Sequence, residues 1–403
     1  MKLLHTADWQ LGACFKQFGE RAGELREARF TALRRALEIA RDRKVDAFII
    51  AGDLFDDNEV DDVIVKRAVS LFADFSGFPI FILPGNHDPF IGPASVWNRP
   101  SFQIAPKNVR VFRCVEFAEL ESGFILGSPL LQKKSTIDPS LKLVELAKQL
   151  PEQKIKVGVT HGSPDIPSLR EDNDFPIATD AATRAQIDFL CLGHWHSWLL
   201  EDNDRMLMPG TPEPDAFDRR DCGSVALIEI CERGAQPKIE KVPVATLGWH
   251  SFDFDFLETD TARQNLQIAL TGLNDRAKQS VVRVRVRGTA TREVLTATRT
   301  WLDVVLKPFP LAQLDDQSGL AFTPAELDFL KANHPILAQV LADLDQMAAL
   351  TIGARNGSAS ADPLSPAEKD RLLSEANIEP AALMQVHFDL ARQLLLQNLQ
   401  EAE

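Results

Sequence analysis

Five short apolar runs in this chain each end in residue types that hold metal ions, and that recurrence constrains the fold more than any other feature. Leu3-Leu4 runs into His5-Thr6-Ala7-Asp8-Trp9-Gln10, and Ala47-Phe48-Ile49-Ile50-Ala51 into Gly52-Asp53-Leu54-Phe55-Asp56. Pro79-Ile80-Phe81-Ile82-Leu83 runs into Pro84-Gly85-Asn86-His87-Asp88. Val157-Gly158-Val159 reaches Thr160-His161-Gly162, and Phe189-Leu190-Cys191-Leu192 reaches Gly193-His194-Trp195-His196. Continuous apolar runs bounded by Gly fit strands buried on both faces. Between the first two, Leu25, Phe30, Leu33, Leu37 and Ala40 recur at helical spacing; Val60, Val63, Ile64, Leu71, Phe72 and Phe75 do so between the next two. The chain therefore begins βαβαβ. In open α/β sheets the chemistry sits just beyond the carboxyl ends of the strands. The five segments should thus bring Asp, Asn and His to one rim. Carboxylate, amide and imidazole together suit a pair of divalent transition ions such as manganese.

Composition narrows the partners. A chain of 403 residues is long enough for two or three domains. A net charge of −14 argues against a stand-alone, non-specific nucleic-acid binder. It leaves a nuclease open, because local patches and bound cations set the field at a site. The five cysteines, at 14, 114, 191, 222 and 231, are odd in number and form no C-x-x-C pair. They read as thiols of a reducing compartment. The N-terminus enters a strand without a signal-peptide pattern. No apolar stretch approaches the roughly 20 residues needed to span a bilayer. A cytoplasmic protein with no membrane contact is expected.

The pattern changes along the chain. Ser224 to Ile230 reads as a late strand closing a first domain, placed at residues 1–245. Phe252-Asp253-Phe254-Asp255-Phe256 alternates as a half-buried strand does, and a helix is expected from Thr261 to Leu273. Val282, Val284 and Val286 alternate with Arg283, Arg285 and Arg287, followed by a helix over about Thr291 to Val305. This βαβα unit is expected as a small α/β domain over 246–322. From 323 onward the reading is helical. Thr323-Pro324-Ala325-Glu326 and Ser365-Pro366-Ala367-Glu368 are helix starts, on either side of a linker over 353–363. The last helix, near Pro380 to Leu399, carries Leu383, Val386, Leu390, Leu394 and Leu395 towards one side. It is either a docking element or a helix folded back on its own core.

The ordered motifs resemble the calcineurin-like metallophosphoesterases, whose pattern is D-x-H, G-D-x-x-D, G-N-H-D/E, a lone His and G-H-x-H. The match runs over about residues 1–230. The opening Leu3-Leu4-His5-Thr6-Ala7-Asp8-Trp9-Gln10-Leu11-Gly12 and Pro209-Gly210-Thr211-Pro212 are similar to SbcD-type DNA repair nucleases. The resemblance implies a metallophosphoesterase β-sandwich flanked by helices, with a small α/β capping domain and C-terminal helices. It implies two divalent ions, manganese with magnesium as the alternative, and DNA as substrate. It also implies an SbcC-like coiled-coil ATPase as partner, bound through the C-terminal helices, and a homodimer through Arg26 to Arg43 or Val60 to Phe75. Residue by residue, it makes Asp53 the bridging ligand. Asp8, Gln10 and His196 complete the first ion; Asn86, His161 and His194 complete the second. His87 becomes the group that contacts the phosphate or protonates the leaving oxygen. Asp56 becomes the carboxylate that holds the His87 imidazole. Gly85, Gly162 and Gly193 would let the backbone turn beside the metals.

Gln10 departs from the family pattern, which has His there. A Gln amide oxygen coordinates manganese or magnesium, but it is neutral and less basic than imidazole. The first ion is expected to be held less tightly, or Gln10 bonds only a water on it. Arg283, Arg285 and Arg287 line one strand face; that face is either solvated or in contact with DNA phosphates. Two further functions stay open: a phosphoesterase acting on a nucleotide or other small phosphodiester, and a metal-weakened scaffold for an ATPase.

Overall fold

The computed structural model describes residues 1–166, 174–256, 259–321, 324–336 and 338–345. The linker at 353–363, the expected helix start at 365 and the final helix lie outside the described residues. The chain divides into two compact units, residues 1–249 with 279–281, and residues 250–278 with 282 onward.

In the first unit the opening strands are β1 (Lys2–Thr6), β2 (Ala47–Ala51), β3 (Ile80–Leu83) and β4 (Val109–Val111). There follow β5 (Glu116–Leu120), β6 (Gly123–Gly127), β7 (Ile155–His161) and β8 (Phe189–Gly193). The last are β9 (Leu199–Glu201), β10 (Met206–Met208), β11 (Ser224–Glu229) and β12 (Lys238–Pro243). Helix α1 (Ala22–Arg43) joins β1 to β2, and α2 (Asp62–Ala73) joins β2 to β3. The crossovers make β1, β2, β3 and β4 parallel neighbours, and β11 closes antiparallel on β1. The strands form two six-stranded sheets, β12-β11-β1-β2-β3-β4 and β5-β6-β7-β8-β10-β9.

Strand periodicity explains why the runs are apolar throughout. Successive side chains point to opposite faces. Leu3, Ile49, Phe81 and Leu83 of the first sheet share one cluster with Ile125, Val157, Phe189 and Cys191 of the second. That cluster is the layer between the sheets. The alternate residues Leu4, Phe48, Ile50, Ile80 and Ile82 pack outward with Leu33, Leu37, Val65 and Phe72 of α1 and α2. On the other side Phe124, Leu126, Leu190 and Leu192 pack with Leu143 and Leu146 of the helix Leu141–Lys148. Both faces of the central strands β2, β3, β7 and β8 are covered, so a polar residue within them would be buried whichever way it pointed. Helix α2 starts where Asp61 accepts from the Val63 amide at 2.7 Å, the usual N-cap bond. The result is a sandwich of mixed α/β class.

The second unit opens on β13 (Gly248–Asp255), and β14 (Ser280–Arg287) is the middle strand of a sheet completed by Leu311–Asp316. Helices Thr259–Leu273 and Arg292–Leu306 supply Leu266, Leu270, Leu295 and Leu302 to a core shared with Phe254, Val282, Val284 and Val286. Thr291 caps the second of them. A helix at Pro324–Asn333 follows. No helix of the described residues is long and apolar enough to cross a membrane.

Candidate metal centre

The rim is shared by two sheets rather than built on one. Asp8, Asp53 and the Asn86-His87 pair follow β1, β2 and β3 of the first sheet; His161 ends β7 and His194 follows β8 of the second. The turns that carry them are left-handed at Asp8 (φ 54°), Gln10 (φ 41°), Asp53 (φ 54°) and His194 (φ 106°). Non-glycine residues avoid this region because Cβ meets the carbonyl oxygen, so the surrounding bonds must hold it. They do: the Asp8 amide donates to Gly52 at 3.1 Å, and the Gln10 amide to Asp53 at 2.9 Å. The His194 amide donates to the Asp8 carboxylate at 3.0 and 3.1 Å.

Two glycines are fixed by proximity. A Cβ on Gly85 would stand 2.1 Å from Oδ1 of Asp53, and one on Gly193 would stand 2.1 Å from the Ala51 carbonyl. Neither has a left-handed φ, so closeness, rather than a tight turn, is what demands glycine there.

The donor atoms converge. Single ligand atoms of Asp8, Asp53 and His161 all lie within 4.8 Å of one another, and all three residues are buried. Nδ1 of His161 donates to the Ala51 carbonyl at 2.9 Å, which leaves Nε2 facing inward. There it meets Oδ1 of Asn86 at 2.8 Å and Oδ2 of Asp53 at 3.5 Å. Nε2 of His194 donates to Asp174 at 2.7 Å, and its Nδ1 faces the same Asn86 oxygen at 3.0 Å. With neutral imidazoles, these inward atoms are all electron-pair donors pointing at one another. Such a cluster is stable only around a positive charge, which is how metal ligands are arranged.

The titration behaviour carries the same demand. Burial pushes His161 down, but the charge and hydrogen bond of Asp53, the charge of Asp8 and the Ala51 carbonyl raise it to about 9. Burial pushes Asp53 up, but His161 and His87 hold it well below the usual carboxylate range. Asp8 is raised, by burial first. A proton on His161 meets the need of the carboxylates in the metal-free protein, and a divalent ion competes for the same place. The donor set therefore fits a divalent metal, with mixed O and N atoms of the hardness manganese takes.

Residues 1–198 match the family model described as calcineurin-like phosphoesterase. This part of the chain is a calcineurin-like phosphoesterase domain. The D subunit of nuclease SbcCD from Bacillus subtilis (strain 168) is 32% identical over 94 residues, 22% of this chain and 22% of that protein. The protein of the same name from Escherichia coli (strain K12) is 37% identical over 95 residues, 22% of this chain and 21% of that protein. The matches thus span about a fifth of the length of these curated relatives. The solved structure of TT1561 from Thermus thermophilus aligns with a TM-score of 0.41 and 13% identity, over 60% of this chain and 98% of that chain. Phosphoesterases of this family are metal-dependent hydrolases, and the buried donors around Asp53 form the candidate metal site of this one.

The remaining expected residues fall as follows, all but three of them within the calcineurin-like domain. Nε2 of His196 lies 3.3 Å from Nε2 of Gln10, so the structure brings these two expected ligands together. The His87 amide donates to Oδ1 of Asp53 at 2.9 Å, and its ring reaches to 4.0 Å from Oδ2. Nδ1 of His87 donates at 2.8 Å to the main-chain carbonyl of Asp56, so the contact uses the backbone where a carboxylate was expected. His5 is buried in β1 and bonds the Leu192 carbonyl at 3.1 Å, a structural contact between the sheets. The three arginines lie on β14 of the second unit. Arg285 pairs with Asp253 at 2.8 Å and Arg283 bonds Ser251 at 3.2 Å, while Arg287 is exposed.

Four residues near the rim were not singled out from sequence. Asp174 holds His194. Asp215 lies 3.1 Å from Nδ1 of His196, a close contact whose angle does not make a hydrogen bond. Arg29 is buried in α1 and donates to the Trp9 carbonyl at 2.5 Å. Asp88 accepts from the Gly85 amide at 2.8 Å and the Phe55 amide at 2.9 Å, tying the loop after β3 to the loop after β2. Asp88 alone carried a local signal, standing inside the Gly-Asn-His-Asp motif.

Proposed function

We propose that this chain is a manganese-dependent DNA exo/endonuclease, the nuclease subunit of an SbcCD-like repair complex. The observation that carries the phosphodiesterase reading is the set of inward electron-pair donors around Asp53 and Asn86. Its extension to DNA is supported by the local likeness to the D subunit of nuclease SbcCD.

In this reading Asp53 would be a ligand shared by two divalent ions. Asp8, Gln10 and His196 would complete the first; Asn86, His161 and His194 would complete the second. Bound there, divalent ions supply Lewis acidity to the phosphoryl oxygens and to the attacking water. The chain itself supplies orientation and a proton. His87 keeps Nδ1 on the Asp56 carbonyl, which leaves Nε2 available, and its side chain is 40% exposed. It is therefore placed to touch the scissile phosphate or to protonate the leaving oxygen. Burial lowers the His87 pKa, but the Asp53 charge, the Asp56 carbonyl and the Asp56 charge raise it overall, which favours the proton-bearing form. Arg283, Arg285 and Arg287 of β14 are the proposed phosphate contacts, with Arg285 also paired to Asp253 at 2.8 Å.

The test is cleavage of a labelled oligonucleotide with manganese, with and without chelator. Cutting that stops with chelator and is absent in Asp53→Ala supports the reading. Hydrolysis of small phosphate esters with no DNA cleavage under any metal would favour a small-phosphodiester enzyme.

A further inference from the structure

The first-ion side has a fixed support that neither the motifs nor the fold accounts for. His196 follows β8 in the second sheet, and its Nδ1 lies 3.1 Å from Oδ2 of Asp215. Asp215 is 14% exposed and meets two guanidinium groups. Nε of Arg219 lies 3.1 Å from its Oδ1, and Nη2 of Arg29 lies 3.6 Å from its Oδ2. The second of these distances is an ion pair and too long for a hydrogen bond. Arg29 is 1% exposed and sits on α1, far from Asp215 in sequence. Its other nitrogen donates to the Trp9 carbonyl, between Asp8 and Gln10. One buried cation thus touches both the loop that offers Asp8 and Gln10 and the carboxylate that meets His196. A buried guanidinium is costly unless it is paired and hydrogen-bonded, so its retention needs such partners.

We infer that Asp215, anchored by Arg29, is a positioning residue that holds the proton of His196 on Nδ1 and presents Nε2 to the first ion. This rests on the two-metal reading above. The contact between Gln10 and Nε2 of His196 agrees with it, since an amide N–H can donate only to an unprotonated ring nitrogen. The arrangement also offsets Gln10. With a neutral amide at position 10, the orientation and basicity of His196 weigh more heavily in holding the first ion.

The test is direct manganese binding, followed by electron paramagnetic resonance of the free ion. Asp215→Asn should weaken the first ion about 10–100-fold and leave the second unchanged. Asp215→Glu should recover part of the loss. In a His196→Ala background Asp215→Asn should add nothing, because its effect passes through that ring. A second measurement needs no variant: nitrogen-15 spectra of the metal-free protein should give His196 as the Nδ1-protonated form. Equal affinities in Asp215→Asn, additive losses in the double variant, a His196 protonated on Nε2, or uptake of a single ion by the parent protein would each overturn the inference. Two manganese ions bound without DNA cleavage would overturn the nuclease reading alone.

Discussion

Gln10 and His87 each bond Asp53 through the main-chain amide, yet their substitutions should separate cleanly. Gln10 meets His196 where we propose the first ion, and a carboxamide is a weaker donor there than imidazole. Gln10→His should lower the manganese concentration needed for half-maximal activity, each tenfold gain in affinity being worth about 1.4 kcal/mol. Equal half-saturation in both proteins would mean that the amide is no handicap. His87 should behave differently, because its ring is held by a carbonyl and only its amide and ring edge approach Asp53. His87→Ala should keep both ions and lose about 10²–10⁴ in rate, the usual worth of a positioned acid. Metal counting beside kinetics checks this, and loss of an ion would make His87 a ligand.

The loops after β2 and β3 are held as one piece, and the clasp is Asp88. Its carboxylate is fully buried and takes one main-chain N–H from each loop. Its own carbonyl accepts from the indole of Trp97 at 2.6 Å. Burial and the nearby Asp53 charge push its pKa up to about 7, against the pull of the two amides. Asp88→Asn would leave one amide facing an NH₂ group, a loss of about 1–3 kcal/mol for an unsatisfied buried donor. Urea unfolding should record that loss as a lower midpoint at an unchanged slope. The strands and helices here were legible because local pattern sets them. Fully apolar runs marked strands covered on both faces, and helical spacing marked α1 and α2. That the runs divide between two sheets came from the family resemblance alone and not from the local pattern, since β3 and β7 look alike in sequence and only their pairing partners differ. The third strand of the second unit, Leu311–Asp316, shows no apolar alternation, with Leu311 its one buried residue. Asp215 and Asp174 were missed for the same physical reason. Their partners lie some twenty residues away, across turns whose path no short motif specifies.

At the level of the whole molecule, the candidate site and the proposed docking segment draw on different parts of the chain. Among the described residues, the hydrophobic clusters of the first unit lie between residues 1 and 244, and the cluster of the second lies between 252 and 320. We propose that the centre around Asp53 is supported by the core of the first unit without the C-terminal stretch. A chain ending at Gly353 should bind manganese as the full chain does, melt at the same temperature and still cut short single strands if the nuclease reading holds. The residues removed include Leu383, Val386, Leu390, Leu394 and Leu395, which share one side at helical spacing. If that side docks an SbcC-like coiled coil, as we propose, the shortened chain should fail to co-purify with such an ATPase while the full chain succeeds. Complex formation by the shortened chain would place the docking surface elsewhere. A shortened chain that lost manganese as well would mean that the C-terminal stretch supports the centre itself, and the separation of folding core from docking segment would be wrong.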